Sequence, residues 1–76
     1  MNEARRKALN SVVSTIANAL SELETVISDE EEAFKNMPDG VKSSEKGEKA
    51  EEAINNLNEA KDNLESASDN INSAME

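Results

Sequence analysis

Met37-Pro38-Asp39-Gly40 is the place where an otherwise continuous pattern breaks. Proline disfavours α-conformation in the residue before it, so a helix arriving from the N-terminal side stops at Met37. Asp39-Gly40 then supplies turn chemistry. A short helical turn starting at Pro38 is open to the chain, although Gly40 weakens it. The only proline and one of the two glycines fall in this stretch, and the rest of the 76 residues runs uninterrupted. The break therefore divides a single domain, 1–76, into a helix over about 2–36, a turn over about 37–43 and a second helix over about 44–74.

Upstream of the break, apolar residues follow a 3,4 alternation: Leu9, Val13, Ile16, Leu20, Leu23, Ile27, then Glu30, Phe34 and Met37. This is a heptad ladder with one polar interruption, at Glu30. A flanking line, Val12, Ala19, Val26 and Ala33, repeats every seven residues. A stripe this wide suits a helix that touches two neighbours.

Downstream, Ser44 is placed as an N-cap, with Glu45 and Glu48 in the first turn complementing the helix dipole. Gly47 reads as a weak spot costing about 1 kcal/mol relative to Ala. The helix then repeats in heptads, Asn56-Leu57-Asn58-Glu59-Ala60, Asn63-Leu64-Glu65-Ser66-Ala67 and Asn70-Ile71-Asn72-Ser73-Ala74. One ladder position holds Leu57, Leu64 and Ile71; the other holds Ala53, Ala60, Ala67 and Ala74. Small residues at this spacing admit a close neighbour, towards the lower end of the ~8–10 Å range.

If the chain folds back at Gly40, the two ladders meet. Leu9 faces Ile71, Val13 faces Ala67, Ile16 faces Leu64, Leu20 faces Ala60, Leu23 faces Leu57 and Ile27 faces Ala53. A register shifted by seven also matches the ladders but places the turn less well. The expected fold is all-α: an antiparallel two-helix coiled-coil hairpin, each helix roughly 45–50 Å long at ~1.5 Å per residue. Such a hairpin leaves the Val12, Ala19, Val26, Ala33 line exposed. Two copies burying these lines would form a homodimeric four-helix bundle. A chain of this size is marginal alone, and with no Cys and no His it has neither disulfides nor the usual zinc ligands, so oligomerisation is the remedy left.

Composition narrows function by exclusion. The single aromatic, Phe34, is too little for a sheet-based core. Ala, Leu, Glu, Asn, Lys and Ser give a coiled-coil composition. A net charge of −9 argues against direct nucleic-acid binding and against an anionic membrane surface. No run approaches ~18 apolar residues, and the N-terminus lacks the apolar core of a secretory signal, so the reading is cytoplasmic. Without His or Cys, the usual general base and thiol nucleophile are missing. No serine has a base or oxyanion donors nearby, and no phosphate loop or dinucleotide fingerprint occurs. The chain reads as a non-enzyme with no cofactor and no metal.

The remaining features each carry two readings. Asp29-Glu30-Glu31-Glu32 is a cation site or an acidic docking surface, or it is a solvated face with Glu30 reaching towards Lys46 or Lys49. The second reading is simpler, because a straight helix spreads carboxylates in several directions whereas calcium needs them wrapped around a turn. Asp29, Glu31 and Glu32 are the candidate partner-binding residues. Arg5-Arg6-Lys7 is a binding patch, or it pairs across the hairpin with the end of helix 2 near Asp69 and Glu76. Asn56, Asn63 and Asn70 fix a dimer register by hydrogen bonding across a seam, or form a solvated edge. Ser43 and Ser44, with Lys42, Lys46 and Lys49, make an exposed tip that is a binding loop or a plain connector.

The run Glu30-Glu31-Glu32-Ala33-Phe34-Lys35-Asn36-Met37-Pro38, the later Ser44-Glu45-Lys46-Gly47, repeats of the Ala-Ile-Asn-Asn-Leu type and the opening Met1-Asn2-Glu3-Ala4-Arg5-Arg6-Lys7 together resemble small acidic proteins encoded by phages and prophages of bacteria. Members usually carry a helix-friendly stretch after the proline, where this chain has Asp39-Gly40. The resemblance implies no catalytic residues and no assigned activity.

The functional expectation is a protein-interaction module that binds itself and an unidentified host protein, such as a defence or nucleic-acid-processing factor. In one form its carboxylates imitate phosphates and occupy a basic cleft. The alternative is a purely structural homo-oligomeric spacer. Sequestration of a small molecule or metal ranks last, because the core offers no convergent polar groups.

Overall fold

The computed structural model describes residues 1–76. The elements in order are α1 (Glu3–Lys35), α2 (Asp39–Lys42) and α3 (Glu45–Ala74). The two long helices run antiparallel and pack along their length, giving a rod of 58 × 15 × 12 Å. The chain is all-α, and no helix is long and apolar enough to cross a membrane.

α1 starts where Asn2 stays extended and its Oδ1 accepts the Arg5 N–H at 2.9 Å, satisfying one of the free amides of the first turn. It ends at Lys35, just ahead of the Met37-Pro38 junction, with the Met37 amide donating to the Phe34 carbonyl at 3.1 Å. The turn that follows is itself helical. Pro38 lies at φ −59°, and its carbonyl accepts from the Val41 and Lys42 amides at 2.9 and 3.0 Å, forming α2 despite Gly40. Ser44 occupies the N-cap position of α3, but its hydroxyl does not cap that helix. It donates instead to the Val41 carbonyl, closing α2.

Gly47 is one of only two buried residues, the other being Ile27. A Cβ at Gly47 would overlap the Lys42 carbonyl and lie 2.6 Å from the Lys42 Cα. The α2 backbone therefore rests directly on the α3 backbone at this point. The residue that helix propensity marks as a weak spot is where the fold-back docks. Around it, Phe34, Met37, Val41 and Ala50 are half-buried, and the Lys42 ammonium lies 5.7 Å from the Phe34 ring centroid. Lys42 thus belongs to the packed tip and not to an exposed lysine loop.

The α1 side of the seam follows its ladder. Leu9, Val13, Ile16, Leu20, Leu23, Phe34 and Met37 are half-buried, and Ile27 is 5% exposed. The α3 side differs from the expected pairing. Leu57, Leu64, Ala67 and Ile71 turn inward, whereas Ala53 and Ala60 are exposed. Ile54, Lys61, Ser68 and Met75 are half-buried in their stead. The Leu57-Leu64-Ile71 line can be flanked on either side, by the alanines or by Ile54 and Met75. Covering an Ile or Met side chain is worth about 1.5–3 kcal/mol, far more than an Ala methyl, so the larger residues win. Lys61 is half-buried and places its ammonium 3.8 Å from a Glu24 carboxylate oxygen, as a long apolar stem with a charged end allows.

The fold-back centre shifts accordingly. Two polar contacts give the levels: Glu24 with Lys61, and Arg6 Nε with the Met75 carbonyl at 3.0 Å. The midpoints of both pairs lie between Gly40 and Ser43, beyond Gly40, because the chain needs all of α2 to turn. Facing pairs such as Leu20 with Ala60 and Ile27 with Ala53 therefore do not form as expected.

Candidate functional site

A helix of 3.6 residues per turn rotates about 100° per residue, and this sorts the exposed surface into faces. On α1, Glu24 and Val26 flank the seam pair Leu23 and Ile27 on opposite sides. On α3, Lys61 and Ala60 flank the Leu57-Leu64 line on opposite sides. The Glu24–Lys61 ion pair shows which sides coincide in the folded hairpin. One broad face carries Arg6, Glu24 and Lys61. The other carries Val12, Ala19, Val26 and Ala33 from α1 and Ala53, Ala60, Ala67 and Ala74 from α3.

This second face is open. Val12 is 43% and Val26 is 48% exposed, Ala33 is exposed and Ala19 is half-buried. Ala53, Ala60 and Ala74 are exposed beside them, and Ala67 is half-buried. Asn56, Asn63 and Asn70, all exposed, edge the alanine line on its outer side. The sequence reading found the α1 half of this face and placed the α3 half inside the hairpin. The signal that would have separated them was Ile54, which the alanine ladder leaves in water.

The acidic run at Asp29-Glu30-Glu31-Glu32 is exposed throughout and forms no ion pair within the chain. Asp29 and Glu32, three apart, share one outer surface, and Glu31 lies about 100° or more from both. The structure therefore does not assemble Asp29, Glu31 and Glu32 into one patch. Glu30 does not reach Lys46 or Lys49 either: Lys49 pairs instead with Glu45 one turn away on its own helix, at 3.4 Å. Of the basic cluster, Arg6 meets the helix C-terminus through the Met75 carbonyl and not through Asp69 or Glu76. A cation there satisfies an orphan carbonyl and complements the dipole.

Concavity is minimal. The one hollow, at the tip, is shallow and lined by Ser44, Glu45, Lys46 and Lys49, with no apolar wall. No group of three or more acidic side chains is positioned to hold a metal ion. What the arrangement offers chemically is a long surface: one side carries the valine and alanine lines, free of charge along 8–21 but bordered by Glu22, Asp29 and Glu30 towards the tip, and the other sides are acidic. Comparison with family models, curated proteins and solved structures returns no match to this chain.

Proposed function

We propose that this chain is a non-enzymatic protein-interaction module that works as a homodimeric four-helix bundle and presents its acidic outer surface to a basic site on a partner protein. On the resemblance to phage and prophage proteins, that partner is a host defence or nucleic-acid-processing protein, and binding modulates it. The observation that carries the reading is exposure. The isolated hairpin exposes 5521 Å² for 8.2 kDa. A compact monomer of this mass exposes about 4500 Å², so the excess is on the order of 1000 Å². A standard protein interface takes about 800 Å² from each partner, which is close to that excess. The exposed carboxylates at 29–32, unpaired within the chain, support an electropositive partner.

Two measurements test this. Sedimentation equilibrium should give twice the chain mass at micromolar concentration; a monomer up to ~100 μM would overturn the bundle. Affinity capture from the bacterial host with nuclease present should yield one stoichiometric protein with a basic surface. Its binding should then be lost on combining Asp29→Lys, Glu31→Lys and Glu32→Lys. Recovery of the chain alone, with larger assemblies forming at rising concentration, would favour the structural spacer instead.

A further inference from the structure

The face that carries the valine and alanine lines is the surface on which a second copy would sit, and its pattern specifies how. Resting on the dimer reading above, we infer that two hairpins pack with their tips at opposite ends, related by a two-fold axis that crosses the rod at Ala19.

The argument begins with charge. Eleven of the seventeen acidic residues, but only four of the eight cations, lie between Glu22 and Glu52, the half of the hairpin that contains the tip. Packing tip against tip would stack the two most negative regions of a chain that already carries −9. Opposing the tips sets each acidic half against the milder half of the other copy. That half has the better face for the purpose. No charged residue occurs between Ala8 and Ser21. On α3, the charges between Ala53 and Ala74 are Glu59, Lys61, Asp62, Glu65 and Asp69, and each lies at least about 100° around the helix from Ala60.

The level of the axis follows from the spacing. An isologous interface must be self-complementary. With α1 running antiparallel to its counterpart about Ala19, Ala19 meets the partner subunit's Ala19 and Val12 meets Val26 of the partner subunit. Arg5 then lies level with the partner's Ala33, about one turn from Asp29 and within reach of Glu30 of the partner subunit. This gives the basic N-terminus and the acidic run the counterions that each lacks within its own hairpin.

The α3 lines are self-complementary at the same height. Ala60 opposes the partner's Ala67 and Ala53 opposes the partner's Ala74 about a point between Asn63 and Leu64. Asn63 opposes itself and Asn56 opposes the partner's Asn70 about Asn63. The Arg6–Met75 and Glu24–Lys61 contacts place Ala19 level with residues 62–66, and both α3 centres fall in that window. One axis therefore serves the valines, the alanines and the asparagines together. Alanine on α3 lets those two helices approach closely, and the asparagine edge offers amide pairs that reward one register.

Native cysteine is absent, so single cysteines report the geometry cleanly. The experiment combines sedimentation equilibrium of the unmodified chain, oxidative cross-linking of Ala19→Cys and Ser43→Cys, and electron-spin distance measurement on Ser43→Cys carrying a nitroxide. The expected result is a dimer in which Ala19→Cys cross-links more than tenfold faster than Ser43→Cys. The tip labels should stand about 60 Å apart, from ~1.5 Å rise per residue on either side of the axis. A dimer with tip labels within ~30 Å, or one in which Ser43→Cys cross-links as fast as Ala19→Cys, overturns the opposed arrangement and leaves the dimer standing. A chain that sediments as a monomer overturns both. The tip-label distance does not depend on how Ala19→Cys is tolerated.

Discussion

The two halves of the hairpin are built differently. At the tip, Ile27 and Gly47 are buried, and Phe34, Met37, Val41 and Ala50 close round them. Towards the termini no residue is buried: Leu9, Val13, Ile16, Leu64 and Ile71 are half-buried. The tip has a third element, α2, to complete its packing; the terminal half has only two helices. Two helices meet along a line, and a line cannot surround a side chain. A local core therefore forms where the chain turns, and the open half is left half-buried.

Substitutions can break or sharpen that contrast, and all should be compared at one protein concentration, because the stability of the proposed dimer would depend on it. The largest loss is expected for Ile27→Ala, about 3 kcal/mol by urea unfolding, because it empties the one buried apolar site. Val13→Ala, in the open half, should cost well under half as much in the dissociated chain. If the two losses prove equal, the halves do not differ as described. Gly47→Ala comes next, at about 2 kcal/mol destabilising, since the new methyl meets the Lys42 backbone and not a side chain that can swing away. Helix propensity alone predicts a gain of about 1 kcal/mol there, so the sign of the effect decides between a docking point and a weak spot.

Asn2→Ala removes the cap of α1 and should lower stability by about 1 kcal/mol, read as fraying of the first turn by amide exchange. Gly40→Ala should raise stability by about 0.5–1 kcal/mol, because nothing lies within 4 Å of the added methyl. A thermal midpoint that falls with Gly40→Ala would place a strain at α2 that the backbone angles do not show. The smallest effect is expected at the Glu24–Lys61 pair. Glu24→Gln should cost no more than about 0.5 kcal/mol, and the cost should shrink in high salt, because Glu24 remains half in water.

The helical hairpin was legible in the sequence because its signals do not compete. Pro38 ends one helix, and the large residues of α1 mark a single stripe. α3 was harder for a physical reason. Its Leu57-Leu64-Ile71 line borders alanines on one side and Ile54, Lys61, Ser68 and Met75 on the other, and a regular alanine repeat looks more like a seam than an irregular set containing a lysine. Burial follows size and tolerates the lysine stem, so regularity misled. The shift of the turn past Gly40 follows from the same cause and from α2, whose four residues are too few to announce themselves. The candidate surfaces were half legible: Val12, Val26 and Ala33 are exposed as the ladder puts them, whereas Ala19 is half-buried. The carboxylates at 29, 31 and 32 look like a unit in one dimension and are spread around the helix in three.

Gly47 has a wider consequence. The Leu57-Leu64-Ile71 line of α3 is regular enough that, taken by itself, it would pair as well after sliding by a whole repeat. The backbone contact between Gly47 and α2 cannot be reproduced one repeat along, where residue 54 is isoleucine. The repeats act as the graduations of a ruler, and this glycine is its zero mark.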